Sequence, residues 1–517
     1  MGDCFRLVDL PPELLVHIFT FLPRDAIHCC RKTSRYLYQT IKFSIELRYQ
    51  VDREFAHVTD NPASLLPISE RIAKLGARES GFSTMTPSWV RTIPVPFTTA
   101  GLYELSCGLF WLGESGREAL RYIVLPNEPP GPNPSPIQWE RIALPSSRSR
   151  IIDFGLAIDE HDLVVIATFT PTAPIAQLDA LPLRRALAVS SGVVKLEFVT
   201  VSSPNGPHPQ AKGPIEFPAT QWGIPSVIIE TVGDILVFVA AYPRVPIVPD
   251  HVYVYNWKTG SLIWEITAEN STYFGAVFLS TGVLMLPNTT TATLELWLLT
   301  PGQTAPVLTL HLPRLVPGIR IATMTARGEP NPSVSGRRNP AVPFHSSVED
   351  SIIVFNITFP APPNLFTPIF LFFAHRRALL SLLAAHPTPG DALDYADWGP
   401  DICRWINAGG LVTDWITTTS GQRCIALPAR ETASFLVLDF NPLTVHAASS
   451  VLPAEDDPFE DYGIWAEAVG SRLPVHVVSS RQQYDSYNGV SLDDARIIAF
   501  KKNMLRQLRE VDVYFFG

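Results

Sequence analysis

The sequence is short of the residues that crosslink, bind metal or span a bilayer. Its 517 residues include six cysteines (Cys4, Cys29, Cys30, Cys107, Cys403 and Cys424), and no two of them stand at the C-x-x-C spacing of a zinc or redox site. So thin a supply excludes a disulfide framework and reads as reduced thiols in the cytoplasm and/or nucleus. The opening residues, MGDCFRLVDLPPE, have neither a basic start nor an unbroken apolar run, so no signal peptide is expected. The N-x-S/T sequons at Asn270, Asn288 and Asn356 are accordingly read as chance matches.

Positive charge is also scarce. With 40 basic residues against 49 acidic ones, the net charge of -9 leaves no surplus of Lys and Arg for neutralising phosphates, which excludes a general nucleic-acid binder. Long apolar runs are missing. The most membrane-like segment, LFTPIFLFFA at 365–374, has about half the length of a spanning helix and runs into His375, Arg376 and Arg377. A buried strand is expected there, and no membrane partner.

Catalytic signatures are absent as well. No glycine is followed four residues later by another, which removes the G-x-S-x-G elbow, and there is neither a Gly-Lys pair for a phosphate loop nor an H-E-x-x-H for zinc. No catalytic residue, metal or cofactor is therefore assigned. Asp159-Glu160-His161-Asp162 has the groups of an acid/base pair but falls in a hairpin turn, where a solvated turn is expected. Trp398, Trp405 and Trp415 are read as core anchors rather than a pocket.

What the chain does have is 48 prolines, 28 phenylalanines and a mean hydropathy of +0.14, a balance that implies much buried sheet joined by loops. The first eighty or so residues read as helical. Leu14, Leu15, Ile18, Phe19 and Leu22 form an apolar stripe on a helix opened by Pro11 and Pro12, Asp25 is placed to cap a second helix, a third runs from Ser34, and Glu70 to Leu75 fit one more. Near residue 90 the pattern changes to a recurring hairpin of one strand, a polar turn and a strongly apolar strand. It occurs at Gly101–Gly113, Asp153–Ala167, Ser226–Ala240, Tyr273–Pro287, His345–Pro360, Trp415–Ala429 and Tyr487–Lys501. A second hairpin follows several of them, at Val252–Ile266, Thr293–Pro313 and Ser434–Ala448. Two hairpins make four antiparallel strands, so the expectation is an α+β multidomain chain: a small helical unit followed by a mainly antiparallel β-propeller of about seven blades, with a β-sandwich pair as the alternative. The divisions are 1–45 for the helices, 46–94 for a helical or irregular linker and 95–517 for the propeller, with VDVYFFG as a closing strand. Asn127–Pro136, Ser202–Pro214 and Gly328–Pro343 read as surface loops.

Leu7 to Ile41, LVDLPPELLVHIFTFLPRDAIHCCRKTSRYLYQTI, resembles the F-box: Leu10-Pro11, Glu13-Leu14, Ile18, Leu22-Pro23, Arg31 and Ser34 match its pattern. One departure is the pair Tyr36 and Tyr38 near the position where a single aromatic is usual. The resemblance implies a partner: a Skp-family adaptor, and through it a cullin, docked on Leu10, Pro11, Leu14, Ile18, Phe21 and Leu22. A helical unit of about 40 residues is too small to bury all its apolar surface, which suits an interface. The remainder, in LPISERIAKL, VYVYNWKTGSLIW, FFAHRRALLSLL and SGQRCIALPA, is similar to the F-box proteins of basidiomycete fungi.

The function that follows is substrate recognition in a cullin-type ubiquitin ligase, the propeller holding an unknown target protein. The alternatives are an adaptor-bound scaffold outside the ligase, and a propeller enzyme if charged side chains from several blades meet in the central channel. Candidate target-binding residues are Arg337 and Arg338 in a proline-rich loop, His375, Arg376 and Arg377 after an apolar strand, and the acidic loop Glu455 to Asp461. The bland readings of the last two are a strand end meeting water and a solvated loop.

Overall fold

A computed structural model describes residues 7–131, 136–172, 191–203, 206–218, 220–333, 339–360, 367–412, 417–429, 434–447, 451–452, 462–480, 487–504 and 507–517. The chain opens with four helices, α1 (Pro12–Phe19), α2 (Arg24–Thr33), α3 (Arg35–Phe43) and α4 (Ile45–Phe55). Pro11 and Pro12 start α1 at no cost, because the first turn has no internal use for their missing N–H groups. Ser34 caps α3 by accepting from the Leu37 amide, and Ser44 caps α4 by accepting from that of Leu47. Asp25 does not cap α2 as expected: the helix begins one residue earlier, after Pro23, and Asp25 sits inside its first turn, where its charge suits the helix dipole.

The apolar stripe on α1 divides, since successive helical residues point about 100° apart. Leu15 and Phe19 turn inward to join Ile27, Leu37, Ile41 and Leu47 in one cluster, while Leu14 and Ile18 turn out. A short strand β1 (Val58–Asp60) and a long helix α5 (Ile68–Thr84) follow. The helix α5 runs well past the Glu70 to Leu75 expected, and Gly81 lets its end press on Phe516, where a Cβ would come within 3.2 Å of the ring. Met85, in the left-handed conformation, stops it.

From Trp89 the chain is mainly sheet, interrupted by a ten-residue helix at Arg376–Ala385 and a few shorter ones. Blade one is β3 (Thr99–Ser106), β4 (Leu109–Glu114), β5 (Ala119–Val124) and β6 (Glu140–Ala143); blade two is β7 (Arg150–Ala157), β8 (Leu163–Pro171), β9 (Gly192–Thr200) and β10 (Ile215–Glu216). Blade three is β11 (Ser226–Val232), β12 (Ile235–Ala241), β13 (Asp250–Asn256) and β14 (Ser261–Ala268). Blade four is β15 (Val277–Ser280), β16 (Val283–Asn288), β17 (Thr293–Leu298) and β18 (Leu308–His311), extended in parallel by β23 (Asp391–Leu393). Blade five is β19 (Thr323–Arg327), β21 (Ile352–Thr358), β22 (Ile369–His375) and β24 (Cys403–Asn407). Blade six is β25 (Thr419–Ser420), β26 (Arg423–Ala426), β27 (Leu436–Asp439) and β29 (Val475–Ser479), with β28 (Val451–Leu452) on its edge. Blade seven joins β30 (Val490–Leu492), β31 (Arg496–Lys502) and β32 (Leu508–Phe515) to β2 (Trp89–Pro94).

The ring is thus closed by pairing the first strand of sheet with the last, register Ile93 to Val511, and VDVYFFG is the closing strand. Seven apolar clusters among the described residues each lie between successive blades, the seventh joining blade seven to blade one. A β-sandwich pair would have one core between two sheets, so that alternative is set aside. Trp398 and Trp405 are buried in the cluster between blades four and five; Trp415 lies outside the described residues.

Two hairpins differ from the sequence reading. Only the second half of the His345–Pro360 segment enters a blade, as β21: β20 (Phe344–Ser346) pairs with β1 instead, and the partner of β21 is β19, reached across the long loop. After β27 a helix, Pro442–Ala447, occupies the position expected for the return strand, which comes only at β29.

Candidate functional site

The candidate adaptor surface is on α1 and the turn that follows it. Leu14 is 50% exposed, Ile18 38% and Phe21 77%, whereas Leu15 and Phe19 are closed off at 0% and 1%. Pro11 is exposed beside them, and Leu10 and Leu22 are half-buried against the helical core. The face therefore presents large apolar side chains that the fold leaves uncovered. The unusual tyrosines serve it from behind: Tyr36 donates to the Leu10 carbonyl at 3.2 Å, and the Arg31 guanidinium lies 4.9 Å from the centre of the Tyr38 ring. His17 meets Phe21 edge-on at 5.2 Å and leads into a groove of about 600 Å³ between α1 and α3, lined by Val16, Tyr36, Thr40 and Phe43.

The basic run after the apolar strand is taken apart by the fold. Among its three residues, Arg376 is fully buried and donates to the carbonyls of Gly328, Pro330 and Val348 and to the Ser351 hydroxyl, all within 2.9 Å. Burial draws its pKa down to about 10, against the pull of Glu329 and Glu230. His375 Nδ1 contacts the Asp350 carbonyl oxygen at 3.2 Å, and only Arg377 stands exposed, paired with Asp350 at 2.7 Å and Glu349 at 3.2 Å. Neither a strand end in water nor a three-residue basic patch describes this run, because one of its guanidiniums is spent on organising loop carbonyls. Arg337, Arg338 and Glu455 to Asp461 lie outside the described residues.

Strand order shows from which end of the ring the connections between the described strands leave. Strands alternate in direction within a blade, so first-to-second and third-to-fourth connections leave from one end of the ring and the remaining connections from the other. Arg337 and Arg338 fall between β19 and β21, His375 to Arg377 begin the passage from β22 to β24, and the acidic loop falls between β27 and β29. All three connections leave from the same end. It is also the end that carries the helices, since β1 pairs with β20 and Glu79 of α5 is bonded to Arg423 at the start of β26.

The turn Asp159 to Asp162 is not merely solvated. Glu160 accepts from the Gly233 amide at 2.8 Å, and His161 Nε2 lies 2.8 Å from the Gly233 carbonyl oxygen, so the turn fastens blade two to blade three. Trp257 donates to the same oxygen at 2.9 Å and takes His161 and His208 edge-on.

Charged side chains from four blades converge in the channel, a feature legible only once the ring is closed. Arg327 of β19 reaches Glu104 of β3 at 2.6 Å, Glu329 at 3.4 Å and Glu230 of β11 at 3.5 Å, and Asn331 donates to Glu230 at 3.0 Å. Asp153 of β7 adds a further carboxyl. Burial, with Glu104 nearby, pushes Asp153 up to about 7; burial likewise takes Glu329 to about 7 despite Arg327, and raises Glu230. The cluster can brace blades one, three and five and exchange protons near neutrality. Among the described residues no group of His, Cys, Asp and Glu is arranged to hold a metal ion, Cys29, Cys30, Cys107, Cys403 and Cys424 are free, and no helix is long and apolar enough to cross a membrane.

Residues 7–52 match the family model described as F-box-like. No curated protein matches the chain, and the resemblance to basidiomycete proteins finds no support in the comparisons. The chain is similar to the WD40 domain of Toxoplasma gondii coronin, with 10% identity over 83% of this chain and 87% of that one and a TM-score of 0.35. It is also similar to BamB from Moraxella catarrhalis, with 12% identity, 83% and 100% coverage and a TM-score of 0.34. The β-propeller domain of Nup133 from Vanderwaltozyma polyspora gives 8%, 82% and 97%, and 0.35. The seven-bladed ring itself stands on its own strand pairing.

Proposed function

We propose that the chain is a target-recognition subunit of a cullin-type ubiquitin ligase, working in the cytoplasm or nucleus. The α1 face docks a Skp-family adaptor, and the propeller holds the protein to be modified. The observation that carries this reading is the uncovered row Leu14, Ile18 and Phe21, on a helical unit that matches the F-box-like family. Apolar side chains of this size, left exposed beside a filled core, gain most by association. The chain contributes proximity and orientation, while transfer chemistry belongs to the bound machinery.

Target capture is assigned to the loops of the ring, which a rigid scaffold holds in place. Arg337 with Arg338, Arg377, and the acidic loop Glu455 to Asp461 remain the candidates, the basic ones for an acidic or phosphorylated segment and the acidic loop for a basic one. Arg376, with His375 at the cap, anchors the start of the helix Arg376–Ala385 that presents Arg377.

The test is co-purification from cells with the proteasome inhibited, comparing the intact chain with one altered at Leu14, Ile18 and Phe21. Adaptor and cullin should accompany only the intact chain, and candidate targets both. Adaptor without cullin would favour a scaffold outside the ligase, and adaptor on both chains would sink the assignment of the face. Charge reversal at each loop cluster, scored by target capture, then locates the target surface.

The channel gives one observation in favour of a second reading, catalysis by the propeller, because Asp153 and Glu329 hold carboxyls near neutrality. Against it, Arg327 pairs with Glu104, Glu230 and Glu329, leaving it committed to bracing the ring. Asp153→Asn and Glu329→Gln should leave target modification unchanged; its loss at full folded yield would favour catalysis.

A further inference from the structure

The helical unit carries a second surface, one set by charge. From Ala26 to Ile45 the sequence holds Arg31, Lys32, Arg35 and Lys42 and no carboxylate, within a chain whose net charge is -9. Positive charge is concentrated here. All four residues are exposed, and among the described residues none of them has a carboxylate within ion-pair reach, whereas Arg48 on the next helix is paired with Asp52 at 3.7 Å.

Three of these cations gather around one ring. The Arg31 guanidinium of α2 lies 4.9 Å from the centre of the Tyr38 ring and the Lys42 ammonium 5.7 Å from it, while Arg35 precedes Tyr38 by one turn of α3. A hydrogen bond from Arg31, and then the charge of Lys42, draw the exposed Tyr38 hydroxyl below its usual pKa. Like charges held this close repel, and an anion laid between them removes the repulsion. Resting on a ring, the cations also lose less freedom when they bind.

The stripe they form points away from the α1 row. Along α3 successive residues turn by about 100°, so Leu37 and Ile41 face the core, Tyr36, Thr40 and Phe43 face the groove beside α1, and Arg35, Tyr38 and Lys42 take the flank toward α2. The two surfaces stand apart.

We infer that Arg31, Arg35 and Lys42, around Tyr38, form a docking stripe for a short segment rich in aspartate and glutamate on a partner protein. Arginine's planar fork takes a carboxylate through two parallel hydrogen bonds, lysine adds a point charge, and the Tyr38 ring offers the segment's methylene stems an apolar floor. From Arg35 to Lys42 the helix rises about 10 Å, which matches about three extended residues. A long polyanion fits worse: nucleic acid or an anionic bilayer would extend past the stripe and meet a chain whose net charge is negative. The stripe needs nothing from the α1 face, so either assignment can fail without the other.

The experiment titrates the full chain into a fluorescein-labelled octaglutamate peptide and follows anisotropy at low ionic strength. Saturable binding is expected, weakened about tenfold or more by Arg31→Gln, Arg35→Gln and Lys42→Gln together, and weakened likewise by salt at about 0.5 M. The chain with Leu14→Ala, Ile18→Ala and Phe21→Ala should bind the peptide as the intact one does. So should a chain with Arg148→Gln, Arg244→Gln and Arg320→Gln, which removes three exposed cations of the ring. An equal loss in the ring variant would mean a response to net charge alone and overturn the inference; a loss in the α1 variant, or tighter binding of phosphatidylserine vesicles or of a short single-stranded oligonucleotide in competition, would do the same. Should the triple variant not fold, Arg35→Gln decides, because among the described residues the Arg35 side chain makes no hydrogen bond or ion pair that folding needs. A loss of about threefold upholds the stripe, and unchanged binding overturns it. Adaptor binding is measured on the same chains: adaptor lost by the α1 variant with peptide binding kept upholds both assignments, and peptide bound through the stripe with adaptor bound by no chain upholds the stripe and counts against the proposed function.

Discussion

The ring of Trp89 lies flat on that of Phe515, 4.8 Å between centroids and 9° between planes, and the two come from opposite ends of the propeller's chain. They are register partners in the sheet that joins β2 to β32, so the stack marks the seam of the ring.

Removing Val511 to Gly517 opens that seam. It strips β2 of nearly all its partner, exposes the edge of β31 and deletes Phe516, which stacks on Phe82 of α5 at 4.3 Å. Unpaired edges recruit other edges, so the truncated chain should aggregate and melt earlier. Light scattering with a melting curve checks this; a monomer melting with the full chain would show that closure does not depend on β32.

Two kinds of substitution on α1 and the turn after it should separate cleanly. Leu14→Ala, Ile18→Ala and Phe21→Ala should each cost about 2 kcal/mol of adaptor binding if they lie at the interface centre, with little change in folding. Phe19→Ala, one turn on the other face, should instead cost about 3 kcal/mol or more of helical-unit stability by leaving a cavity. Titration with recombinant adaptor alongside thermal unfolding distinguishes the two.

Arg376→Ala should destabilise by about 3 kcal/mol or more, because it leaves three loop carbonyls and a hydroxyl without their donor in a buried site. Arg377→Ala, at an exposed ion pair, should cost less than about 1 kcal/mol. Denaturant melts of the two variants test the assignment; equal losses would contradict it.

The channel carboxyls predict a pH dependence of definite sign. Asp153 titrates near 7 when folded and near 4 when unfolded, so between those values the folded state holds the extra proton. Its contribution is complete below about pH 4 and is lost as pH rises through 7. Asp153→Asn, which cannot ionise, should therefore be more stable than the parent at pH 8, by on the order of 2 kcal/mol given about 1.4 kcal/mol per pKa unit and the sharing of charge within the cluster. Glu79 works the other way. Burial opposes its charge, but Arg423 and Arg78 outweigh that and hold it near 2, so its contribution disappears only as pH falls toward that value. Melting temperatures of Asp153→Asn and parent across pH 5 to 9 provide the check; curves that stay parallel would remove the cluster from the account.

Much of this architecture is written in local pattern. The alternation in Val252 to Asn256, the turns between paired strands and the prolines before α1 each act over a few residues, so hairpins, helices and even the closing strand were legible without a structure. The exposed α1 row was legible for the same reason, since a helix repeats every 3.6 residues and the core can take only one side of it. The misread places are those where distant chain intervenes. His345 looked like half of a hairpin, but its neighbours pair with β1, nearly three hundred residues earlier. Arg376 looked like a surface cation until loop carbonyls from 328 to 348 closed over it.

The sequence by itself determined the helical unit, the repeated hairpins and the apolar row on α1, because propensity, periodicity and turn chemistry are properties of neighbours along the chain. Tertiary structure alone decided that the connections β19 to β21, β22 to β24 and β27 to β29 leave from the end of the ring that carries the helices. It alone brought Glu104, Asp153, Glu230 and Arg327 into one channel, and Asn61 under the carbonyls of Asn339 and Val342. Those meetings depend on the closure of seven sheets around an axis, and a buried charge or amide finds its partners by direction in space, which no spacing along the sequence encodes.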